Sequence, residues 1–67
     1  MITVYCDGST ESFQLIHTLD ELEISYEAKG AIEAHEAGIY GLPAMDVDGK
    51  ILSYKKALKW AKKQQRG

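Results

Sequence analysis

The feature that most constrains the fold is a proline followed closely by a tight-turn signal. Pro43 is the only proline in the chain, and Asp48-Gly49 follows it. Proline has no N–H, so it fits the first residue of a strand, and a bond before such a proline is a candidate for the cis form. Asp-Gly favours a two-residue hairpin loop, because a type I′ turn needs positive φ at both central residues. The predicted pairs are Val47 with Lys50, Asp46 with Ile51 and Met45 with Leu52, which puts Met45, Val47 and Leu52 on one core face.

The chain before this hairpin alternates strand and helix patterns. Residues 1–6 are apolar, β-branched and aromatic, which predicts a buried first strand that Asp7-Gly8 ends. Ser9 or Thr10 can cap a helix that runs to about Glu23. The apolar residues of this helix cover about half of a helical wheel, which predicts packing on more than one side. They are Phe13, Leu15, Ile16, Leu19 and Leu22.

The remaining patterns complete one α/β domain over residues 1–67. Alternation of apolar and polar residues at 24–29, with Ile24, Tyr26 and Ala28 inward, predicts a half-exposed second strand. An alanine-rich helix follows at 31–37, with Gly38 as its C-cap. Ser53 can cap a last helix that runs from about residue 54 to 65. The order β-α-β-α-β-β-α predicts a mixed four-stranded sheet with three helices, in which the helix-linked first two strands are parallel.

The charges are divided between the two parts of the chain. Residues 1–49 hold all ten acidic residues and one lysine, which gives −9, whereas residues 50–67 hold seven bases and no acid, which gives +7. This split indicates a charged partner for one end. The alternative is that the two parts neutralise each other within the fold.

Composition also limits the classes of function and site. A single cysteine excludes an internal disulfide and makes a cysteine-based metal site implausible. His17 and His35 fall on different predicted helices, so we expect no metal site and no cofactor. With no secretory signal and no apolar run of membrane-spanning length, we expect a cytoplasmic protein that does not bind membranes.

The last predicted helix has the most distinctive surface. Its basic residues form an arc of roughly 120° opposite the apolar side, with an aromatic residue at the border. Such a face is typical of surfaces that bind phosphates and stack a base. It predicts a polyanionic partner, RNA in particular, or an acidic protein surface; the alternative is a solvated lysine face. The predicted contact residues are Lys55, Lys56, Lys59, Trp60, Lys62, Lys63 and Arg66.

The element order, residues 37–43 and the Asp48-Gly49 hairpin together resemble the glutaredoxins, the smallest form of the thioredoxin fold. The resemblance covers nearly the whole chain and is closest to the short glutaredoxin-like proteins that reduce ribonucleotide reductase. In that family a glycine ends the second helix, and after a short loop an apolar residue precedes a cis-proline. Leu42 and Pro43 occupy those two places. The resemblance implies that the Leu42 backbone binds the extended backbone of glutathione or a peptide.

The chain departs from that family where the redox chemistry would be. The family places Cys-x-x-Cys, or a single cysteine, at the start of the first helix, where the helix N-terminus lowers the thiol pKa. Matching the helices puts Ser9 and Ser12 at those positions. Cys6 follows the first strand directly, so it is either a displaced monothiol nucleophile or a small buried apolar residue. Asp7 beside it favours the second, because a nearby carboxylate raises a thiol pKa.

Three functions follow from these patterns. The first is a non-catalytic glutaredoxin-like binding module that contacts nucleic acid through its basic last helix. The second is a monothiol thiol-disulfide oxidoreductase that uses Cys6, with glutathione as the thiol ligand. Leu42 and Pro43 would position that ligand. The third is a protein-interaction module that uses the acidic part of the chain.

Overall fold

The computed structural model describes residues 1–64, which form a four-stranded mixed sheet and three helices. The strand order is β2-β1-β3-β4, with β1 parallel to β2 and antiparallel to β3, and β3 antiparallel to β4. This confirms the predicted α/β class and element order, and the topology is thioredoxin-like. The elements are β1 (Ile2–Tyr5), α1 (Thr10–Glu21), β2 (Glu27–Lys29), α2 (Ala31–Glu36), β3 (Ala44–Val47), β4 (Lys50–Ser53) and α3 (Tyr54–Lys63).

The hairpin between β3 and β4 has the predicted register. Its three predicted pairs are all present, together with Ala44 opposite Ser53. Asp48 and Gly49 have φ values of 52° and 93°, as the turn type requires. The Gly49 N–H donates to Asp46 Oδ1 at 2.7 Å. The bond that precedes the hairpin's first strand, between Leu42 and Pro43, is cis.

The two faces of the sheet hold two separate apolar clusters. On the face that holds the larger cluster, strand residues such as Val4 and Met45 pack against α1 and α3. Val4 pairs with Met45 and Met45 with Leu52, so three neighbouring strands contribute to this layer. On the opposite face a smaller cluster lies around α2. Its buried residues are Tyr5, Ala34, Ile39 and Ala44.

Helix α1 confirms the predicted cap but not the whole predicted apolar surface. Ser9 is the N-cap, and its side chain accepts from the Ser12 N–H at 3.2 Å. Leu15 and Leu19 are fully buried, between the sheet and α3. Phe13 is 64% exposed, so its predicted place in the packing was wrong. Ser12 takes the buried position instead, because it lies one helical turn before Leu15 and two before Leu19.

Strand β2 is shorter and more exposed than predicted. It covers only Glu27–Lys29, and Ala28 is exposed. The strand lies at the edge of the sheet and pairs with β1 alone, which leaves its small side chain uncovered. Ile24 and Tyr26 precede the strand and are partly buried against the larger cluster. Across the described residues, no helix is both long and apolar enough to cross a membrane.

Candidate functional site

Helix α3 packs on the core through small buried residues and partly buried larger ones, and its lysines are exposed. Ala57 and Ala61 are fully buried in the larger cluster, and their small side chains let the helix approach closely. Trp60 lies between them in sequence and is partly buried against the same cluster. Tyr54 is fixed in a similar way, and its hydroxyl donates to Gln14 Oε1 at 2.6 Å. Packing therefore fixes one side of α3 and directs its lysines to solvent.

A groove of about 310 Å³ runs between the β3–β4 hairpin and α3. The residues that line it are of two kinds, apolar and basic. The apolar ones are Val47, Leu52 and Trp60, and the basic ones are Lys50, Lys56, Lys59 and Lys63. The groove therefore combines an apolar lining with several ammonium groups, and none of the described residues that line it carries a carboxylate.

The lysines of this groove have no ionic partners in the chain as described. Within residues 1–64 the ion pairs join the N-terminal ammonium of Met1 to Asp48 and His17 to Glu21. Neither contains a lysine, so direct ion pairs do not neutralise the acidic part of the chain against the basic part over these residues. Ammonium groups gathered around an apolar surface create a positive potential that attracts anions.

The structure brings together four of the predicted contact residues. Lys56, Lys59, Trp60 and Lys63 all line the groove. Lys55 and Lys62 are exposed on α3 but do not line it. Arg66, the remaining predicted contact, and Gln65, the predicted end of α3, lie outside the described residues.

Sequence reasoning missed the contribution of the hairpin to this groove. Val47, Lys50 and Leu52 line it but were not predicted as contact residues. The signal was present, since the predicted register already paired Val47 with Lys50 and placed Val47 and Leu52 on one face. The docking of α3 beside that face was the missing information.

A second polar cluster lies at the start of α1. The Ser12 hydroxyl donates to Asp7 Oδ1 at 2.7 Å and accepts from the Asp7 N–H at 3.1 Å. The Ser9 N–H donates to the same carboxylate oxygen at 3.0 Å. Hydrogen bonds from Ser9, and then from Ser12, lower the pKa of Asp7 to about 2. Both serines thus donate hydrogen bonds to a carboxylate of their own chain.

Cys6 lies beside this cluster but is not activated by it. The thiol is half-buried, and its Sγ lies 3.9 Å from the Val4 carbonyl oxygen. Burial, and then the charge of Asp7, raise the pKa of Cys6. A nucleophilic cysteine needs the opposite shift, because the thiolate is the reactive form.

Leu42 and Pro43 lie at the same end of the sheet as Cys6. Tyr5 pairs with Ala44, so the residue after Tyr5 and the residue before Ala44 lie at one sheet end. Pro43 is buried, and Leu42 is partly buried against the smaller cluster. The structure therefore brings these three predicted residues to one end of the sheet. The hairpin turn and Lys50 lie at the other.

The two histidines do not form part of either cluster. His17 Nε2 lies 2.6 Å from Glu21 Oε1 on the exposed side of α1. The His35 ring packs edge-on against Tyr40, with centroids 5.2 Å apart. In the part of the chain that the structure describes, no three histidine, cysteine or acidic side chains are grouped as a metal site.

Comparison with known proteins adds no assignment to this geometry. No protein-family model matches the chain, and searches of curated proteins and of solved structures also gave no match.

Proposed function

We propose that this protein is a non-catalytic binding module with a glutaredoxin-like frame, and that the α3 surface contacts nucleic acid, RNA in particular. The observation that supports this most directly is the groove beside α3. Four lysines and Trp60 line it, and the helix that supplies most of them has no acidic residue.

The chemistry of this surface suits a polyanion. Each lysine that neutralises a phosphate releases a condensed counterion, so several lysines give strong, salt-dependent attraction. Lys55 and Lys62 extend the positive surface beyond the groove. Aromatic side chains next to such cations are the second component of single-strand binding surfaces.

The glutaredoxin-like frame has support of its own, as does its lack of redox chemistry. The cis bond between Leu42 and Pro43 occupies the place that the resemblance implies. Ser9 and Ser12 stand where that family has cysteines, and both are hydrogen-bonded within the Asp7 cluster. The raised pKa of Cys6 weakens the monothiol alternative.

The test is a salt titration of RNA binding. A fluorescently labelled single-stranded RNA would be titrated with protein at several salt concentrations, and anisotropy would give the affinity. We expect log affinity to fall linearly with log salt. Replacing Lys56, Lys59 and Lys63 together by glutamine should reduce the slope by about 2 and the affinity by about 100-fold near 0.1 M salt, since each phosphate contact contributes about 0.7 to the slope.

A matched control uses the same substitution elsewhere. Lys29 is the one base outside residues 50–67, so Lys29→Gln removes the same charge as Lys59→Gln. We expect Lys59→Gln to weaken binding more. Equal losses in the two variants, or an affinity unaffected by salt, would contradict a contact through α3.

An acidic protein surface is the alternative partner, and competition separates it from RNA. Polyglutamate carries a repeated negative charge but has no base to stack. Displacement of RNA by polyglutamate at equal charge concentration would favour the acidic protein. Retention of RNA under those conditions would favour nucleic acid.

A further inference from the structure

We propose that the groove between the β3–β4 hairpin and α3 receives one unstacked base of a single-stranded nucleic acid, which stacks against Trp60 while the surrounding lysines contact the flanking phosphates. This inference rests on the proposed function and narrows its ligand to single strands.

The first support is the way in which Trp60 is held. Its neighbours Ala57 and Ala61 are fully buried, and the indole itself packs partly against the larger cluster. Trp60 is thus both packed against the core and part of the lining of the groove. A ring that is already ordered loses little side-chain entropy when a ligand stacks on it.

The second support is the apolar lining. Val47 and Leu52 accompany Trp60 in the groove. A purely ionic contact with phosphates gains nothing from these side chains, of which Val47 and Trp60 are only partly buried. A base has an apolar face, so it covers them and gains stacking energy at the same time.

The third support is the arrangement of the lysines. Lys56, Lys59 and Lys63 follow one another at helical spacings of three and four residues, so they share one side of α3. The row spans about 10 Å of helix axis, so its two ends can contact different phosphates of one strand, which in a duplex carries one charge per about 3.4 Å of its axis. Lys50 approaches from the hairpin. Phosphates on both sides of one seated base therefore have cationic partners.

These features favour a single strand over a duplex. In a duplex the bases are stacked inside, and a protein surface meets phosphates and base edges rather than base faces. Only an unpaired base presents its face to Trp60 without the cost of breaking a pair.

The experiment compares three labelled ligands of equal length with the intact protein. They are a single-stranded RNA, the same backbone with abasic sites, and the RNA paired with its complement. Trp60 is the only tryptophan, so its intrinsic fluorescence reports on the groove in the unmodified chain. We expect the base-containing strand to quench Trp60 and to bind about 5- to 150-fold more tightly than the abasic strand.

Variants locate the effect within the groove. Trp60→Leu should lose that preference over the abasic strand but keep the salt slope, and Trp60→Phe should retain part of the preference. Lys55 and Lys62 lie outside the groove and serve as a comparison. The double substitution Lys55→Gln with Lys62→Gln should lower the affinity for the base-containing RNA and for the abasic RNA by the same factor. Circular dichroism and a thermal melt would establish that each variant is folded.

The outcomes separate this inference from the proposed function. Salt-dependent but equal binding of the base-containing and abasic strands would overturn base stacking and leave the α3 contact standing. Tighter binding of the duplex than of the single strand would also overturn it. Failure of all three ligands to bind would overturn the proposed function itself.

Discussion

At the start of α1 a carboxylate accepts hydrogen bonds from its own chain, whereas the four lysines that line the groove beside α3 make no ion pair within the described residues. Asp7 accepts from Ser9 and Ser12. Along residues 1–64, no lysine takes part in an ion pair. In the first region the polar groups bond to one another and so stabilise the fold. The second keeps its charges available, which is what a binding surface for anions requires.

The first turns of the two helices show the same difference. Ser9 caps α1 with its side chain, and Glu11 is in the first turn. Ser53 occupies the N-cap position of α3 but makes no side-chain cap bond, and Lys55 and Lys56 lie in the first turn, where the helix dipole disfavours cations. Helix α3 therefore depends more on the packing of its buried side than on its local sequence.

The largest expected effect on stability comes from replacing the serine near the start of each of these two helices. Ser12→Ala should lower the free energy of unfolding by about 1–3 kcal/mol, because it removes a buried partner of both the Asp7 carboxylate and the Asp7 N–H. The exposed Ser53 is the matched control, and Ser53→Ala should cost less than about 0.5 kcal/mol. Urea denaturation followed by Trp60 fluorescence would measure both. Equal losses would remove the contrast.

A smaller effect is expected in acid. The folded chain keeps Asp7 ionised down to a pKa of about 2, whereas the unfolded chain protonates the same carboxyl near pH 4. Stability from this group is therefore complete above about pH 4 and is lost as the pH falls towards 2. The stability difference between wild type and Asp7→Asn should narrow over that window in urea melts. A difference that stays constant with pH would show that the carboxylate charge is not what the serines stabilise.

Removing the charge of one lysine from α3 should increase the stability of the fold, whereas the changes above decrease it. Lys59 lies three or four residues from Lys55, Lys56, Lys62 and Lys63, and like charges at such spacing cost about 0.2–0.5 kcal/mol per pair. Lys59→Gln should therefore stabilise the fold by about 1 kcal/mol at low salt, the sum over four such pairs near the lower end of that range, while it weakens RNA binding. Thermal melts at low salt and at about 1 M salt would test this, because screening removes the gain. A loss of stability in this variant would mean that Lys59 supports the fold.

The smallest expected effect concerns the thiol. Burial and Asp7 raise the pKa of Cys6, so iodoacetamide should react with the folded protein more slowly than with a free thiol at pH 8. Asp7→Asn should speed the reaction, because it removes the second of these causes. The rate would be followed by mass spectrometry, with the urea-unfolded protein as reference. A folded protein that reacts faster than the free thiol would revive the monothiol alternative, and reduction of a glutathione mixed disulfide by wild type and Cys6→Ser would then decide it.

Local patterns predicted the hairpin and the start of α1 well because these features depend on local chemistry. Asp48-Gly49 determines the hairpin turn and hence its register, and Ser9 determines the start of α1. The helical-wheel pattern predicted a packed Phe13 because such a pattern ranks residues by apolarity alone. The buried residue is Ser12, whose polar group is satisfied by hydrogen bonds with Asp7. Spacing on α3 identified the basic face. The contribution of Lys50 was missed, because it depends on how a strand and a helix pack.

All the residues that line the groove come from one uninterrupted piece of chain, residues 47–63. The hairpin and α3 are consecutive in the sequence, so both walls of the groove belong to one segment. The opposite end of the sheet instead combines residues from α1, β1 and the cis-proline loop. The lining of the groove can therefore be varied by substitutions within a single short segment, at the end of the sheet opposite to Cys6. The segment keeps its shape only through a shared core, however, because Leu52, Ala57 and Ala61 are buried in the same cluster as residues of α1 and β1.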